Sequence, residues 1–240
     1  MTKQLGVVRE LDVLIGLIDD FGRNRRYSLT TLRLLSQRVG HTRDSARERL
    51  AAKLPTRKLE RLVNRLERAV SSDESSHAKG RADDRVRAKR VWLWALDARL
   101  ARRAARVQRA IEMAGALYVP ERLHDVRIAL KKLRYAAELS LDAGRPRLTA
   151  DVAALKAAQD LLGRLHDYEV LITSGRNVQA SLFPPDLAIW RQLKRLVDTV
   201  EDDCRQMHGR YMRDRKRLIA IANRLGAGQA ILSGHNTRAS

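Results

Sequence analysis

The chain has 240 residues, and its 48 Lys and Arg against 28 Asp and Glu leave a formal net charge of +20, an excess that argues for a polyanionic partner. One cysteine, Cys204, excludes an intrachain disulfide framework and a multi-cysteine metal site. No run of ~18 apolar residues is present, which excludes a transmembrane helix. The N-terminal stretch is acidic where a signal peptide is cationic, so the chain reads as cytoplasmic with no membrane partner.

Of the 48 cations 38 are Arg, whose planar fork suits bidentate phosphate contacts. Aromatic residues make up only 4%. Readers of single-stranded nucleic acid stack bases on aromatic platforms, so a partner made of phosphate without bases fits better. A nucleic acid gripped by its backbone, rRNA or duplex DNA, is the alternative.

In chain order, residues 5–21 read as a helix, and 22–28 as a polar turn. Leu32, Leu35, Val39, Ala46 and Leu50 recur at three- and four-residue steps through a helix over 29–53, with a bend expected at Gly40. Pro55 suits the first turn of a further helix running to about Val70. Residues 71–80, SSDESSHAKG, read as a linker by composition. A long helix over about 83–117 carries Trp92, Leu96, Leu100, Val107 and Ile111. Pro120 opens a central helix, and Gly144 and Pro146 separate it from the next, in which Gly163 is expected to form a hinge. Pro184 and Pro185 precede a last helix over about 187–225. The tail, GAGQAILSGHNTRAS, reads as disordered. Period-two alternation is scarce, so the chain is expected to be all-α.

The central helix reads VPERLHDVRIALKKLRYAAEL. At ~3.6 residues per turn, His124, Arg127, Lys131 and Arg134 stand at i, i+3, i+7 and i+10, within an arc of roughly 80°. Leu123, Val126, Leu130, Leu133 and Ala137 fill the adjoining arc and face a core. Four potential cations on one flank repel one another, and a polyanion lying along them would relieve that repulsion. Lys132 points further round the helix toward solvent, and Tyr135 is expected to pack. The six His are scattered, without a His-x-x-x-His pair, which argues against a metal site. Neither a Gly-x-x-x-x-Gly-Lys loop nor a nucleophile paired with a base appears. The chain therefore reads as a binding protein with no cofactor, and not as an enzyme.

LHDVRIALKKLRYAAEL followed by LKAAQDLLGRLHDYEVL resembles the CHAD family, the conserved-histidine α-helical domain. Its signature is a His-x-x-Arg-x-x-x-Lys-x-x-Arg-Tyr helix followed by a Leu-Lys-x-x-Gln-x-x-Leu-Gly-x-x-x-Asp helix. The resemblance implies two related antiparallel helical-bundle units flanking a basic cleft or channel that takes inorganic polyphosphate. It implies that Lys156 joins the channel and that Gln159 orients it. An internal repeat, Leu5–Leu14 with Leu162–Leu171, fits two related units and places Arg9 opposite His166. Asp167 and Asp12 are expected to hold channel arginines in place. Arg102 and Arg106, which follow the same spacing rule as the central helix, and Arg47 complete the expected polyphosphate-binding set of His124, Arg127, Lys131, Arg134, Lys156, Arg9 and His166.

Three segments follow: 1–80 as a partial first unit, 81–226 as the second unit with the signature helix, and 227–240 as the tail. The first unit has no counterpart of the signature helix before Leu5. Leu11, Leu14, Leu17, Ile18, Leu32 and Leu35 are therefore expected to form an exposed apolar patch. Either a homodimer covers that patch, or the first unit is loose.

Overall fold

A computed structural model describes residues 2–23, 27–53, 56–79, 82–184 and 186–227. Among them the chain forms α1 (Thr2–Arg23), α2 (Leu29–Lys53), α3 (Thr56–Lys79), α4 (Ala82–Ala114), α5 (Pro120–Asp142), α6 (Thr149–Ala180) and α7 (Leu187–Ala227), with a 3-10 turn at Pro146–Leu148 and no strand. The all-α expectation holds.

Helices α4 to α7 close into a ring in which α4 packs on α5, α5 on α6, α6 on α7, and α7 on α4. Each contributes an apolar stripe at helical spacing. Leu100, Ala104, Val107 and Ile111 come from α4, Leu123, Val126, Leu130 and Leu133 from α5, and Leu193, Leu196, Val200 and Tyr211 from α7, all buried. Truncating one such leucine, Leu130 for example, costs about 2–5 kcal/mol through lost transfer energy and the cavity left behind. Along α6 and α7 the approach is close, since a Cβ on Gly175 would stand 3.0 Å from Val197 Cγ2.

The connections follow from local chemistry. Gly115 (φ 66°) and Gly144 (φ 90°) stand just past the ends of α4 and α5, where a left-handed residue stops a helix without a Cβ clash. The glycine ends α4 at Ala114, three residues before the expected Leu117. Pro120 opens α5 after extended Val119. Asp186 caps α7, its Oδ1 accepting from the backbone N–H of Ala188 (2.9 Å) and Ile189 (3.0 Å). Between α5 and α6, Arg145 forms a two-pronged pair with buried Asp97 of α4.

Helices α1 and α2 form an antiparallel hairpin that docks on α6 and α7. Phe21 stacks on Tyr27 and meets Tyr168 of α6 edge-on, and Thr31 Oγ1 donates to Gln192 Oε1 of α7 at 2.7 Å. One apolar core runs from this hairpin through the ring.

Two expectations change, those of the exposed patch and of the linker. Leu14, Ile18, Leu32 and Leu35 are buried and Leu11 and Leu17 pack against the core, because the hairpin closes on itself and on α6; the exposed patch is not there. Residues 71–79 continue α3 instead of forming a linker, since nothing between Pro55 and Gly80 breaks the helix. Gly163 lies inside uninterrupted α6 and Gly40 inside uninterrupted α2. Trp92 is exposed, because α4 projects beyond the ring at its start. The tail from residue 228 onward lies outside the described residues. No helix among the described residues is long and apolar enough to cross a membrane.

Candidate functional site

The buried stripe of α5 fixes where its cations stand. Each of His124, Arg127, Lys131 and Arg134 follows a core residue by one position, about 100° further round the helix. All four are consequently half-buried, and the side chain of Arg134 is only 15% exposed. Against α6, Arg127 lies over Gly163, where a Cβ would be 3.6 Å from its Nε. The His124 and His166 rings stand 4.6 Å apart between centroids. The Arg134 guanidinium sits 4.8 Å from the Tyr135 ring centroid and Lys131 Nζ 5.8 Å from it. Tyr135 is exposed, so it works as a platform for these cations and is not packed in the core.

Parts of the flank, His124 Nδ1, Arg127 Nε and Arg134 Nε, are buried without a hydrogen-bond partner, as is Gln159 Oε1 on α6. Arg134 keeps one partner, donating from Nη1 to Glu138 Oε1 at 3.0 Å. Burial, with the neighbouring His166 and Arg127 charges, holds His124 below its ordinary value of 6.5. At pH 7 the resting flank therefore carries three cations and a neutral imidazole.

Helix α1 completes one end. His166 Nε2 donates to Glu10 Oε1 at 3.1 Å, so the two segments related by the internal repeat meet face to face. Burial raises the Asp167 carboxyl, opposed by His166, Arg127 and Arg9. Beyond His124 and His166 lies an open hollow of about 620 Å³ whose lining includes Glu10, Glu121, Asp125 and Glu169. The basic run of α5 thus ends in carboxylates at its His124 end. Glu169 also accepts from the Tyr118 hydroxyl, which burial and that bond raise well above its usual range. Cys204 beside it is pushed up to about 12, chiefly by burial, and stays a thiol.

The structure thus brings Arg127, His166 and Arg9 around Asp167, with His124 against His166 and Lys131 and Arg134 further along α5. Lys156 is exposed on α6, one turn before Gln159. Arg47 is paired with Asp12 at 2.8 Å, and Arg43 stands 3.9 Å from the same carboxylate, so Asp12 holds arginines of α2 and none of α5. Arg102 and Arg106 are exposed on α4, two residues either side of buried Ala104 and so on the face turned from the core. Sequence reasoning missed the carboxylates of the hollow. The repeat, which aligns Glu10 with Asp167, was the one available sign of Glu10.

These features define a class, an all-α domain organised around a half-buried cationic helix flank. Residues 1–174 match the CHAD domain family, and the chain belongs to it. No curated protein and no solved structure matches the chain.

Proposed function

We propose that the chain binds inorganic polyphosphate, without catalysis, along the α5 flank between α1 and α6, and does so in the cytoplasm. The observation that carries this reading is the set of buried, unpartnered nitrogens on His124, Arg127 and Arg134. Leaving such groups unpaired is costly, and charge-assisted bonds to an anion recover that cost. Phosphoryl oxygens are plentiful along polyphosphate and carry no bases that need stacking. Arg127 and Arg134 take oxygens bidentately, Lys131 acts as a point charge, and Lys156 extends the track from α6. Binding displaces the counterions of the polyanion and so weakens with salt. The family's association with polyphosphate supports the reading.

The test is a titration with long-chain polyphosphate at ~50 and ~200 mM salt. Each phosphate contact contributes a slope of roughly −0.7 to −0.9 in log K against log salt, so three contacts predict an affinity loss of about 20-fold or more. Absence of saturable binding at the lower salt would overturn the reading.

A further inference from the structure

An exposed apolar stripe runs along α3, and further apolar residues are exposed at the start of α4. Leu59, Leu62, Val63, Leu66 and Val70 share an arc of roughly 100° on α3 and are 36 to 59% exposed. Val86, Val91 and Trp94 of α4, within an arc of roughly 140°, are 59 to 62% exposed, and Trp92, 51% exposed, lies across the helix from Trp94. The α3 stripe alone is on the order of the ~300–600 Å² of the largest patch on an ordinary monomer, and the α4 residues add a second surface of similar size.

The α3 stripe has the pattern of a core stripe. Leu218, Ile221, Ala222 and Leu225 of α7 are buried at i, i+3, i+4 and i+7, with α4 beside them, Ala104 Cβ being 3.8 Å from the Cβ position of Gly226. Leu59, Leu62, Val63 and Leu66 repeat that spacing. Preceding them, Leu35, Val39 and Ala46 of α2 repeat the i, i+4, i+11 spacing of Leu193, Val197 and Cys204 of α7, and all six are buried. The apolar spacing of α2 and α3 thus parallels that of α7, as α2 packs on α1 and α7 on α6. The α7 stripe is covered by another helix; that of α3 is bare, and the chain's own α4 start, itself exposed, does not cover it.

We propose that a second copy of this chain covers it, with α3 of one protomer laid against the α4 start of its partner and the reverse, about a two-fold axis. The apolar area suits the ~800 Å² per partner of a stable interface, and each protomer supplies both complementary surfaces, as an isologous pair requires. The flanks of the stripe favour a protein partner over an anionic bilayer. Glu60 and Glu67, one heptad apart, border it on one side and Arg65 borders it on the other. Carboxylates there would face lipid phosphates, whereas in a helix pair charged flanks meet charged flanks. The net charge of +20 opposes the pairing of two copies, so salt, which screens that repulsion, strengthens the dimer.

Sedimentation equilibrium of the full chain, across a roughly hundredfold concentration range at two salt concentrations, tests this. The parent is expected to dimerise, more tightly at the higher salt. Leu62→Glu with Leu66→Glu is expected to weaken the dimer roughly 100-fold or more, with circular dichroism unchanged because this stripe lies outside the core. A parent that stays monomeric overturns the proposal, whether its α3 amides exchange slowly, meaning α3 folds back on its own chain, or the monomer co-sediments with phosphatidylglycerol vesicles. A dimer insensitive to the double variant places the interface elsewhere and overturns it equally.

Discussion

Replacing Arg127 and Arg134 by alanine should separate binding from folding. Each guanidinium offers two charge-assisted bonds to phosphate, worth about 1.5–3 kcal/mol. At tenfold per ~1.4 kcal/mol, one substitution costs roughly 10- to 150-fold in affinity, and the pair more than ~100-fold. Stability should respond differently. Arg127 Nε is buried with no partner, a cost that its removal relieves, while the nearby Asp167 carboxyl loses a favourable charge, so the two effects oppose each other. Arg134 gives up an i, i+4 pair with Glu138, worth about 0.3–0.5 kcal/mol, and its own unpartnered Nε offsets part of that. Urea unfolding followed by circular dichroism should therefore move by less than ~1 kcal/mol in Arg127→Ala, in either direction, while calorimetric titration with polyphosphate shows the loss of affinity. A stability drop above ~2 kcal/mol with unchanged affinity would mean that these arginines brace the fold, and the reasoning would be refuted.

Four more outcomes are expected. Free His124 sits below its ordinary 6.5, and bound phosphates raise it, so polyphosphate affinity climbs as pH falls from about 7 to 5; the climb should flatten in His124→Asn, and matching profiles would count against the histidine. By the same linkage the unfolded chain binds the extra proton in that window, so without ligand His124 makes the protein less stable as pH drops below about 6.5, an effect that thermal melts at pH 7 and 5.5 detect as a difference between parent and variant. Gly175→Ala, whose Cβ would meet Val197 Cγ2 at 3.0 Å, should cost about 1–3 kcal/mol in urea unfolding, and Val197→Ala should recover part of it. Asp97→Ala strands Arg145 and should cost about 2–3 kcal/mol, below the ~3–5 kcal/mol of a fully buried pair because Arg145 reaches water.

What could be read from the sequence was what local chemistry decides. Pro120, Gly144 with Pro146, and Pro184 mark helix boundaries through backbone geometry alone, and the observed ends fall beside them. The alignment of His124, Arg127, Lys131 and Arg134 needs only the helical period. What could not be read depends on which faces meet. Leu14 and Leu35 look alike with Leu62 and Leu66 as stripe positions, yet the first two are buried and the last two exposed. Only the docking of α1 and α2 on α6 separates them. The Glu10–His166 bond joins residues 156 apart, and the carboxylates of the neighbouring hollow come from three helices. The 71–79 stretch misled because serine-rich composition suggests a linker, while helix formation needs only the absence of a break.

The central claim, that the α5 flank recognises polyphosphate, is tested most directly by competition. Labelled long-chain polyphosphate bound to the parent chain is challenged with unlabelled polyphosphate or duplex DNA at equal phosphate concentration, with the Arg127→Ala, Arg134→Ala variant alongside. The expected result is displacement by polyphosphate at far lower concentration than by DNA, with the variant holding little label. Equal displacement by both polyanions, or a variant that binds as the parent does, would contradict the account.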